Sequence, residues 1–568
     1  MDFSLKPYRF LIVDDFGNYR TSLVTMLAEA EVPTSQIDTA SNGDEAMKLL
    51  EENHYDIILC DFYLGEGKDG QQVLEESRTL GTLGYSTIFI MITAETARAM
   101  VLSVVENRPD DYLTKPFTHA VLSTRLQRLV EEKKGLGAVD RALAQKSQKR
   151  AIHLLDQMIQ QREGSSYELL RIKSEIEEKN RYYDDALKIY DQVLAEQPLL
   201  WAQLGRGRVL YHLKQYAESV GCFEAVLAEN DAHNVARDWM AKALLEMGEG
   251  ERAQQILQEA VDQSPRVLRR QKLLATVAQA NQDMAVAQKA YESAVRLGEH
   301  SLFRKVSDFT GLAEVMMDQK GSQKALKVLK RAKKSFAGDT NALVETSLKE
   351  NAAYTNLGRP NEAATALKKA AENFEKRDRA LDPEIALTLA DKLTEDTRKL
   401  EDEAANAGSG MMAEALKGKS DKKREANKDL VKGILSEVTQ HHHNNDEIQQ
   451  RIAELAEESD MDESEIQQLH SARQEVINLN NDGVSLYKEG KVAEASDILF
   501  DAAERLESNR IINLNAAQAL LGVVIKQGVS AELMAKVDAC LTRIPPEFHD
   551  DKYKKLHDLF ERFVQRLE

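Results

Sequence analysis

The sequence contains few of the residues that cross-link or stiffen a chain. Among 568 residues there are 3 cysteines, 10 prolines and 2 tryptophans. Cys60, Cys222 and Cys540 are too few and too widely spaced for a disulfide framework or a zinc site. We expect them to be buried apolar side chains.

An excess of positive charge and long apolar runs are also missing. The formal net charge of -19 disfavours sequence-independent attraction to the nucleic-acid backbone. No uncharged apolar stretch approaches the roughly 18 to 20 residues of a membrane span, and the first residues, MDFSLKPYRF, lack the apolar run of a signal peptide. We therefore expect a cytoplasmic protein with no membrane insertion and no DNA binding, since no basic recognition helix follows the first domain.

Polar side chains follow four apolar, β-branched runs in the first 130 residues. These side chains are Asp14 and Asp15 after FLIV, Asp61 after DIILC, Thr93 after IFIMI and Lys115 after DDYLT. In an alternating β/α sheet the carboxyl ends of the strands meet in one crevice, so we expect these side chains to converge. Three crowded carboxylates repel one another unless a hard divalent cation lies among them, which predicts a magnesium site.

The same residue types suit phosphoryl transfer. A carboxylate beside a metal can attack a phosphoryl group in line, while an ammonium and a hydroxyl take up charge on the phosphoryl oxygens. Asp61 would be the nucleophile, with Lys115 and Thr93 as the stabilising donors. Taken singly, an Asp-Asp pair is a common turn or helix cap and a Lys-Pro pair a common loop. The order and spacing of all five residues together favour a phosphoryl-transfer site over these separate roles.

Residues 1–130 resemble a response-regulator receiver domain of two-component signalling. The resemblance rests on the acidic pair, Arg20, Leu23, Asp61, Asp69-Gly70, Thr93, Tyr112 and Lys115-Pro116. It implies an α/β flavodoxin-like fold with a doubly wound parallel five-stranded sheet. It also implies Mg2+ as the cofactor, a histidine kinase or phosphotransfer protein as the partner, and phosphorylation of Asp61.

The resemblance also implies a role for each site residue. Mg2+ would be held by Asp14, Asp15, Asp61 and the backbone carbonyl of Tyr63; Thr93 and Lys115 would stabilise the phosphoryl group; Thr93 and Tyr112 would act as the switch; Pro116 would follow a cis peptide. We expect no enzymatic activity beyond magnesium-dependent phosphoryl acceptance on Asp61 and autodephosphorylation. Nine positions separate Asp61 from Gly70, where the family usually has eight, so the loop through Leu64 to Gly67 should be one residue longer.

Small residues recur at near-constant intervals in the following segment. They are spaced by 33, 34, 34, 38 and 38 residues, at Ala186, Ser219, Ala253, Ala287, Ala325 and Ala363. A second small residue lies twelve positions before each of them, and only Asn351 breaks that set. This pattern resembles tetratricopeptide (TPR) repeats, which implies paired antiparallel helices stacked into an all-α superhelix. The alternative is a helical bundle with accidental alanine periodicity.

These patterns predict four regions. Residues 1–130 would be the receiver domain, 131–375 a linker and the TPR array, 376–475 a charged insertion that is helical or partly disordered, and 476–568 C-terminal TPR-like helices. Inside the insertion, Leu430, Val431, Ile434, Leu435 and Val438 share one helical face. That face could belong to an ordinary array helix or could dock into a groove.

Two functions are compatible with this organisation. The first is a signalling adaptor, in which phosphorylation of Asp61 changes which protein the TPR superhelix binds. The second is a phosphotransfer component or phosphate sink whose repeats dock a kinase. The sequence names neither the kinase nor the protein bound by the repeats.

Overall fold

A computed structural model describes residues 4–65, 67–93, 109–145, 147–161, 166–406, 411–442, 445–459, 461, 463–507, 509–544 and 551–564. The chain divides into two compact units, Met1–Val315 and Met316–Glu568. None of the described helices combines the length and the apolar character that a membrane crossing requires.

The first unit begins with a parallel sheet. Its strands are β1 (Phe10–Val13), β2 (Ile37–Ala40), β3 (Ile57–Asp61), β4 (Ile88–Thr93) and β5 (Asp111–Thr114). Their order is β2-β1-β3-β4-β5, and every neighbouring pair is parallel. The central strands β1, β3 and β4 are buried along their whole length, which explains why their sequences are apolar without alternation.

Helices cover both faces of this sheet. They are α1 (Gly17–Glu29), α2 (Gly43–Glu52), α3 (Gly70–Leu80) and α4 (His119–Glu132). Ile57 and Leu59 of β3 pack in the core formed with α1 and α4. Ile58 and Cys60, the alternate residues, pack in the core formed with α2 and α3. The doubly wound, flavodoxin-like α/β fold predicted from the sequence is confirmed.

The rest of the first unit is helical. Its helices are α5 (Leu136–Ala144), α6 (Gln148–Gln161), α7 (Tyr167–Lys179), α8 (Tyr183–Glu196), α9 (Leu200–His212), α10 (Tyr216–Glu229), α11 (Asn234–Glu246), α12 (Gly250–Gln263), α13 (Leu268–Ala280), α14 (Met284–Leu297) and α15 (Val306–Asp318), the last of which extends past the unit boundary. Gly135, at φ 90°, separates α4 from α5, so the sheet domain is not joined to the next helices by one continuous helix.

Consecutive helices pack as pairs through small residues. A Cβ at Gly207 of α9 would lie 2.6 Å from the ring of Phe223 on α10, so the glycine permits the close approach of the two helices. The Ser219 hydroxyl, also on α10, donates to the Gly207 carbonyl at 2.7 Å. The two small repeat positions Gly207 and Ser219 therefore bring α9 and α10 into direct contact. The all-α arrangement predicted for this segment is confirmed.

A left-handed residue lies two positions after the first helix of four successive pairs. Arg181, Lys214 and Gln282 adopt φ of 62°, and Gly248 adopts 78°. This conformation lets the backbone N–H groups that follow the helix bond its last carbonyls while the chain reverses. The reversal is required by the pairing of the helices, and it occurs even where the residue is not glycine.

The second unit is also helical. Its helices are α16 (Ser322–Ser335), α17 (Thr340–Asn356), α18 (Pro360–Glu375), α19 (Pro383–Asn406), α20 (Met411–His441), α21 (Asp446–Glu458), α22 (Glu463–Lys488), α23 (Val492–Arg505), α24 (Arg510–Gln527), α25 (Ala531–Thr542) and α26 (Asp551–Val564). Asn351, which breaks the small-residue set, is accommodated on α17 because its amide donates to the Ala363 carbonyl at 2.9 Å.

The charged segment 376–475 is mainly helical in its described residues, from α19 to the first part of α22. The apolar face of α20 packs in one core with residues of α17, α18, α19 and α21. Within that core Ile434 and Leu435 are fully buried. This packing favours the interpretation of α20 as an ordinary helix of the unit over a face that awaits a partner.

Candidate functional site

Three carboxylates meet at the carboxyl ends of β1 and β3. Asp14 and Asp15 directly follow β1, and Asp61 is the last residue of β3. Asp14 and Asp61 are buried, whereas Asp15 is exposed. One carboxylate oxygen from each lies within 4.8 Å of the others. Oxygen donors at this separation could hold a single hard cation.

Lys115 is the basic group of this crevice. Its Nζ donates to Oδ2 of Asp14 at 2.7 Å and to Oδ2 of Asp61 at 2.6 Å. Its backbone N–H donates to the carbonyl of Thr93 at 2.8 Å, which ties the residue after β5 to the end of β4. The Arg20 guanidinium donates to the backbone carbonyl of Asp14 at 2.5 Å. Three carboxylates thus face one ammonium and one guanidinium, and the remaining negative charge favours a cation.

Burial and neighbouring charges shift the protonation of Asp61 and Lys115. Burial raises the pKa of Asp61, and the hydrogen bond and charge of Lys115 offset part of this. Burial by itself would lower the pKa of Lys115, but its hydrogen bonds to Asp14 and Asp61 outweigh burial, and the pKa is raised. Lys115 is therefore protonated at neutral pH and can balance negative charge that develops beside Asp61.

The backbone fixes Asp61 against the first turn of α3. The Gly70 N–H donates to the Phe62 carbonyl at 2.9 Å, and a Cβ at residue 70 would overlap the Asp61 carbonyl oxygen. Asp69 caps α3 through a capping box with Gln72. The Asp-Gly pair singled out from the sequence therefore has a steric cause, because only glycine fits beside the Asp61 backbone.

The remaining predicted residues lie on, or just after, β3, β4 and β5. Thr93 ends β4, one residue beyond Ile92, which pairs with Asp61. Tyr112 on β5 packs against the core under α2 and α3, and burial raises the pKa of its hydroxyl. Tyr63 donates its backbone N–H to Asp61. The Lys115–Pro116 peptide is cis. The roles assigned to these residues stay predictions.

The loop between β3 and α3 contains two glycines in left-handed conformations, Gly65 at φ 72° and Gly67 at φ 103°. A Cβ at Gly65 would lie 3.6 Å from Oδ2 of Asp15, so this part of the loop passes beside the exposed carboxylate. Glu66, which the sequence analysis placed in the same loop, lies outside the described residues. The extra residue of the loop stays a prediction.

Sequence reasoning missed the aromatic surroundings of Lys115. The ammonium lies 4.1 Å from the centroid of the Tyr19 ring, and this ring packs edge-on against Phe117 at 6.3 Å. A ring face attracts an ammonium, so Tyr19 is a further partner of Lys115 besides the two carboxylates. A single tyrosine on a helix carries no sequence signal that distinguishes it from a core residue.

Sequence reasoning also missed contacts between α3 and residues 194 and 226 positions further along the chain. Glu75 forms an ion pair with Arg269 of α13 at 2.6 Å, and the Leu302 N–H donates to Glu76 at 2.7 Å. Both contacts lie within the first unit. No local pattern could have shown them, because the partners are distant in sequence and their residue types are ordinary for exposed helices.

The comparisons with known proteins concern the sheet domain. Residues 10–127 match the response regulator receiver domain family. Chemotaxis protein CheY-3 of Vibrio cholerae is 29% identical over 126 residues, which cover 22% of this chain and 94% of that protein. Regulatory protein VanRB of Enterococcus faecalis is 30% identical over 122 residues, which cover 22% of this chain and 52% of that protein.

A solved receiver domain, that of the Francisella response regulator 1452, is 27% identical and covers 22% of this chain and 99% of its own, with a TM-score of 0.20. The matched residues are the ones that form the sheet, its helices and the acidic crevice. Residues 10–127 are therefore a response-regulator receiver domain, attached to a long series of helices.

Proposed function

We propose that the receiver domain accepts a phosphoryl group on Asp61 from a histidine kinase or phosphotransfer protein, and that this modification controls what the helices bind. The observation that carries the proposal is the crevice itself. Asp61 lies with two further carboxylates within 4.8 Å, and the Lys115 ammonium contacts it at 2.6 Å. A nucleophile, a cation site and a charge-stabilising donor are thus adjacent.

The donor set fits Mg2+, since carboxylate and carbonyl oxygens are its usual protein ligands. Asp14, Asp15, Asp61 and the Tyr63 carbonyl would hold the ion. When bound, Mg2+ would supply positive charge that neutralises the carboxylates and the oxygens of an incoming phosphoryl group. The negative balance of the crevice, with three carboxylates against the Lys115 ammonium and the Arg20 guanidinium, supports this assignment.

The chain's own residues would divide the transfer among them. A carboxylate oxygen of Asp61 attacks phosphorus, the P–O bond forms, and the P–N bond of the donor phosphohistidine breaks, leaving the imidazole to take a proton from solvent. Lys115 is already held beside Asp61, so its ammonium can donate to a phosphoryl oxygen without a large movement. The Thr93 hydroxyl, at the end of the neighbouring strand, would donate to another.

We further propose that the helices after the receiver are TPR repeats and bind a protein. Two features support this: the near-constant spacing of small residues at the helix contacts, and the left-handed residue that recurs at the same place in successive pairs. The receiver contacts these helices directly, which favours an adaptor whose binding changes with phosphorylation over a receiver that only drains phosphate from a kinase.

The direct test is intact-mass measurement after incubation with acetyl phosphate and MgCl2. The wild type should gain one phosphoryl group and D61N should gain none. D56N is the matched control, because Asp56 directly precedes β3 but lies at its opposite end, and it should be labelled like the wild type. A phosphoryl adduct on D61N would show that the acceptor lies elsewhere.

A further inference from the structure

The first turns of α3 carry three carboxylates that face the helical array. Asp69, Glu75 and Glu76, which we call the acidic flank, retain 17%, 12% and 0% side-chain exposure. Acidic side chains on a surface helix are ordinarily solvated. Their burial has a specific cause, because each has a donor from a distant part of the first unit.

Two arginines supply most of these donors. Arg269, in the first turn of α13, lies 2.6 Å from Glu75, and Arg266, just before α13, lies 3.5 Å from Asp69. Arg266 also lies 5.9 Å from the ring centroid of Tyr63. We call Arg266 and Arg269 the basic strip.

Backbone groups of the array complete the contact. The Leu302 N–H, between α14 and α15, donates to Glu76 at 2.7 Å, and the Gln72 amide donates to the Leu297 carbonyl at 3.3 Å. Gln72 and Asp69 cap α3 at the same time, so the turn that begins α3 is also the turn that touches the array. The contact thus combines ion pairs with directional hydrogen bonds.

The basic strip is covered only in part. The side chains of Arg266 and Arg269 are still 51% and 67% exposed. Leu302, whose backbone N–H meets Glu76 next to Glu75 in sequence, is 54% exposed. A carboxylate from outside can therefore approach the same guanidinium groups. Because α3 now covers the basic strip, another ligand of the strip should share its chemistry. Such a ligand would be a helix with acidic residues in its first turns and an apolar residue that can contact Leu302.

The covered surface is mechanically linked to the phosphoacceptor crevice. Asp69 and Gly70 follow the loop that starts at Asp61, and Gly70 is packed against the Asp61 carbonyl. The Tyr63 backbone N–H donates to Asp61, and the Tyr63 ring lies beside Arg266. A change at Asp61 thus acts on residues that also contact the basic strip.

We propose that α3 is an internal ligand of the basic strip, and that the strip is a binding site for an acidic helical segment of a partner protein, which competes with α3. This inference rests on the proposed adaptor function, for which it names the surface and the chemistry of the partner.

Docking is tested by charge exchange in the full chain. Glu75→Arg and Arg269→Glu each place like charges together, so hydrogen exchange of peptides covering residues 297–305 should increase. The double variant restores an ion pair, so the exchange of these peptides should return to the wild-type rate. Glu29→Arg, the same substitution on an exposed position of α1, should leave this exchange unchanged. Equal exchange in the wild type and both single variants would overturn the docking.

Competition is tested with a fluorescent peptide that copies residues 69–80. A staple between positions 73 and 77, which are buried inside the receiver, keeps the peptide helical without covering its acidic side. The peptide should bind the Glu75→Arg chain with a Kd lower by roughly tenfold or more than for the wild type, since the tethered α3 no longer competes. Adding Arg266→Glu should abolish this binding, as should replacing both glutamates of the peptide by glutamine.

A Kd that is the same for the wild type and Glu75→Arg would overturn the competition. In a separate arm of the experiment, the chain is phosphorylated with acetyl phosphate and MgCl2, and the Kd of the peptide is measured again. If Glu75→Arg changes the Kd and phosphorylation does not, α3 is an internal ligand and the phosphorylation-controlled adaptor is wrong. If exchange and Kd are unchanged by Glu75→Arg while phosphorylation still alters partner binding, the adaptor stands and this surface is not its site.

Discussion

Two acidic clusters lie at the two ends of the loop between β3 and α3, and they differ in how their charge is balanced. In the crevice, Asp14 and Asp61 share one ammonium and Asp15 is exposed. On the acidic flank, every carboxylate has a donor from the helical array. The buried crevice carboxylates thus share one ammonium, whereas each flank carboxylate has its own partner from a distant part of the same unit. Burial still raises the pKa of Asp69 and Glu75, so these partners offset the cost of burial only in part.

This difference separates two kinds of burial. A carboxylate that is buried without enough positive charge favours an incoming cation, whereas one buried in an ion pair with hydrogen bonds holds two elements together. Substitutions in the two clusters should therefore fail in different assays. Loss of a crevice carboxylate should prevent phosphorylation with little change in stability, and loss of a flank carboxylate should loosen the array with little change in phosphorylation.

The largest effect is expected from Asp15→Ala. Asp15 is exposed, so its removal should cost little stability, but the cation site loses one of its three carboxylates. We expect labelling by acetyl phosphate and MgCl2 to fall below detection by intact mass, because uncompensated carboxylates repel the phosphoryl group. Glu75→Gln is the control and should be phosphorylated to the same extent as the wild type. Undiminished labelling of Asp15→Ala would mean that the acidic pair is only structural.

The next largest effect is expected from Gly70→Ala, which acts on both clusters at once. The added methyl group overlaps the Asp61 carbonyl, so the first turn of α3 must shift, at a cost of roughly 1–3 kcal/mol. Chemical denaturation should show this loss together with slower labelling and faster exchange around Leu302. Gly221→Ala on α10, where a Cβ meets nothing within 4 Å, is the control and should be neutral or stabilising.

A third prediction uses a buried carboxylate that belongs to neither cluster. Glu177 of α7 is 5% exposed, and its nearest cation, Lys173, is 3.9 Å away. Burial raises the pKa of Glu177 to about 7, above the ordinary 4.5. Since the folded state then binds the proton more tightly than the unfolded state, Glu177 should make the chain lose stability as the pH rises from about 4.5 to about 7.

Glu177→Gln should remove this component, on the order of 1–3 kcal/mol, when unfolding free energies at pH 5 and pH 8 are compared. The same difference in the variant as in the wild type would show that Glu177 is adequately compensated in the folded chain. Glu168→Gln, at an exposed position of the same helix, is the control.

The smallest effect is expected in hydrogen exchange after phosphorylation. We expect a change of no more than a few-fold around Thr93 to Tyr112, of which residues 94–108 lie outside the described residues, and in residues 138–200. The contacts of α3 add residues 297–305 to this set. Residues 476–568 should be unaffected. Changes confined to the crevice would favour the phosphate-sink function.

The crevice could be predicted because it depends on local signals. Asp61 and Thr93 end strands whose β-branched, apolar sequences mark them clearly, and parallel strands place their carboxyl ends together. The repeat period was equally visible, because Gly207 and Ser219 must be small for two helices to touch. In both cases the cause lies within one or two neighbouring elements.

The remaining features have causes that no short stretch contains. Arg181 and Lys214 adopt a left-handed conformation because the helix pair must reverse there, although neither residue prefers it. Tyr19 supports Lys115 across almost a hundred residues. The ion pair of Glu75 with Arg269 joins residues that were assigned to separate domains, and its formation depends on how the whole first unit packs.

The complete burial of Glu76 affects how this protein can evolve. Its Oε1 accepts from the Leu302 N–H, and its Oε2 lies 3.7 Å from Lys68. A receiver with an apolar side chain at this position would leave the Leu302 N–H without its acceptor, at a cost of about 1–3 kcal/mol. Exchange of the receiver alone would therefore weaken its contact with the helices around Leu302, unless the new receiver also carries an acceptor at this position.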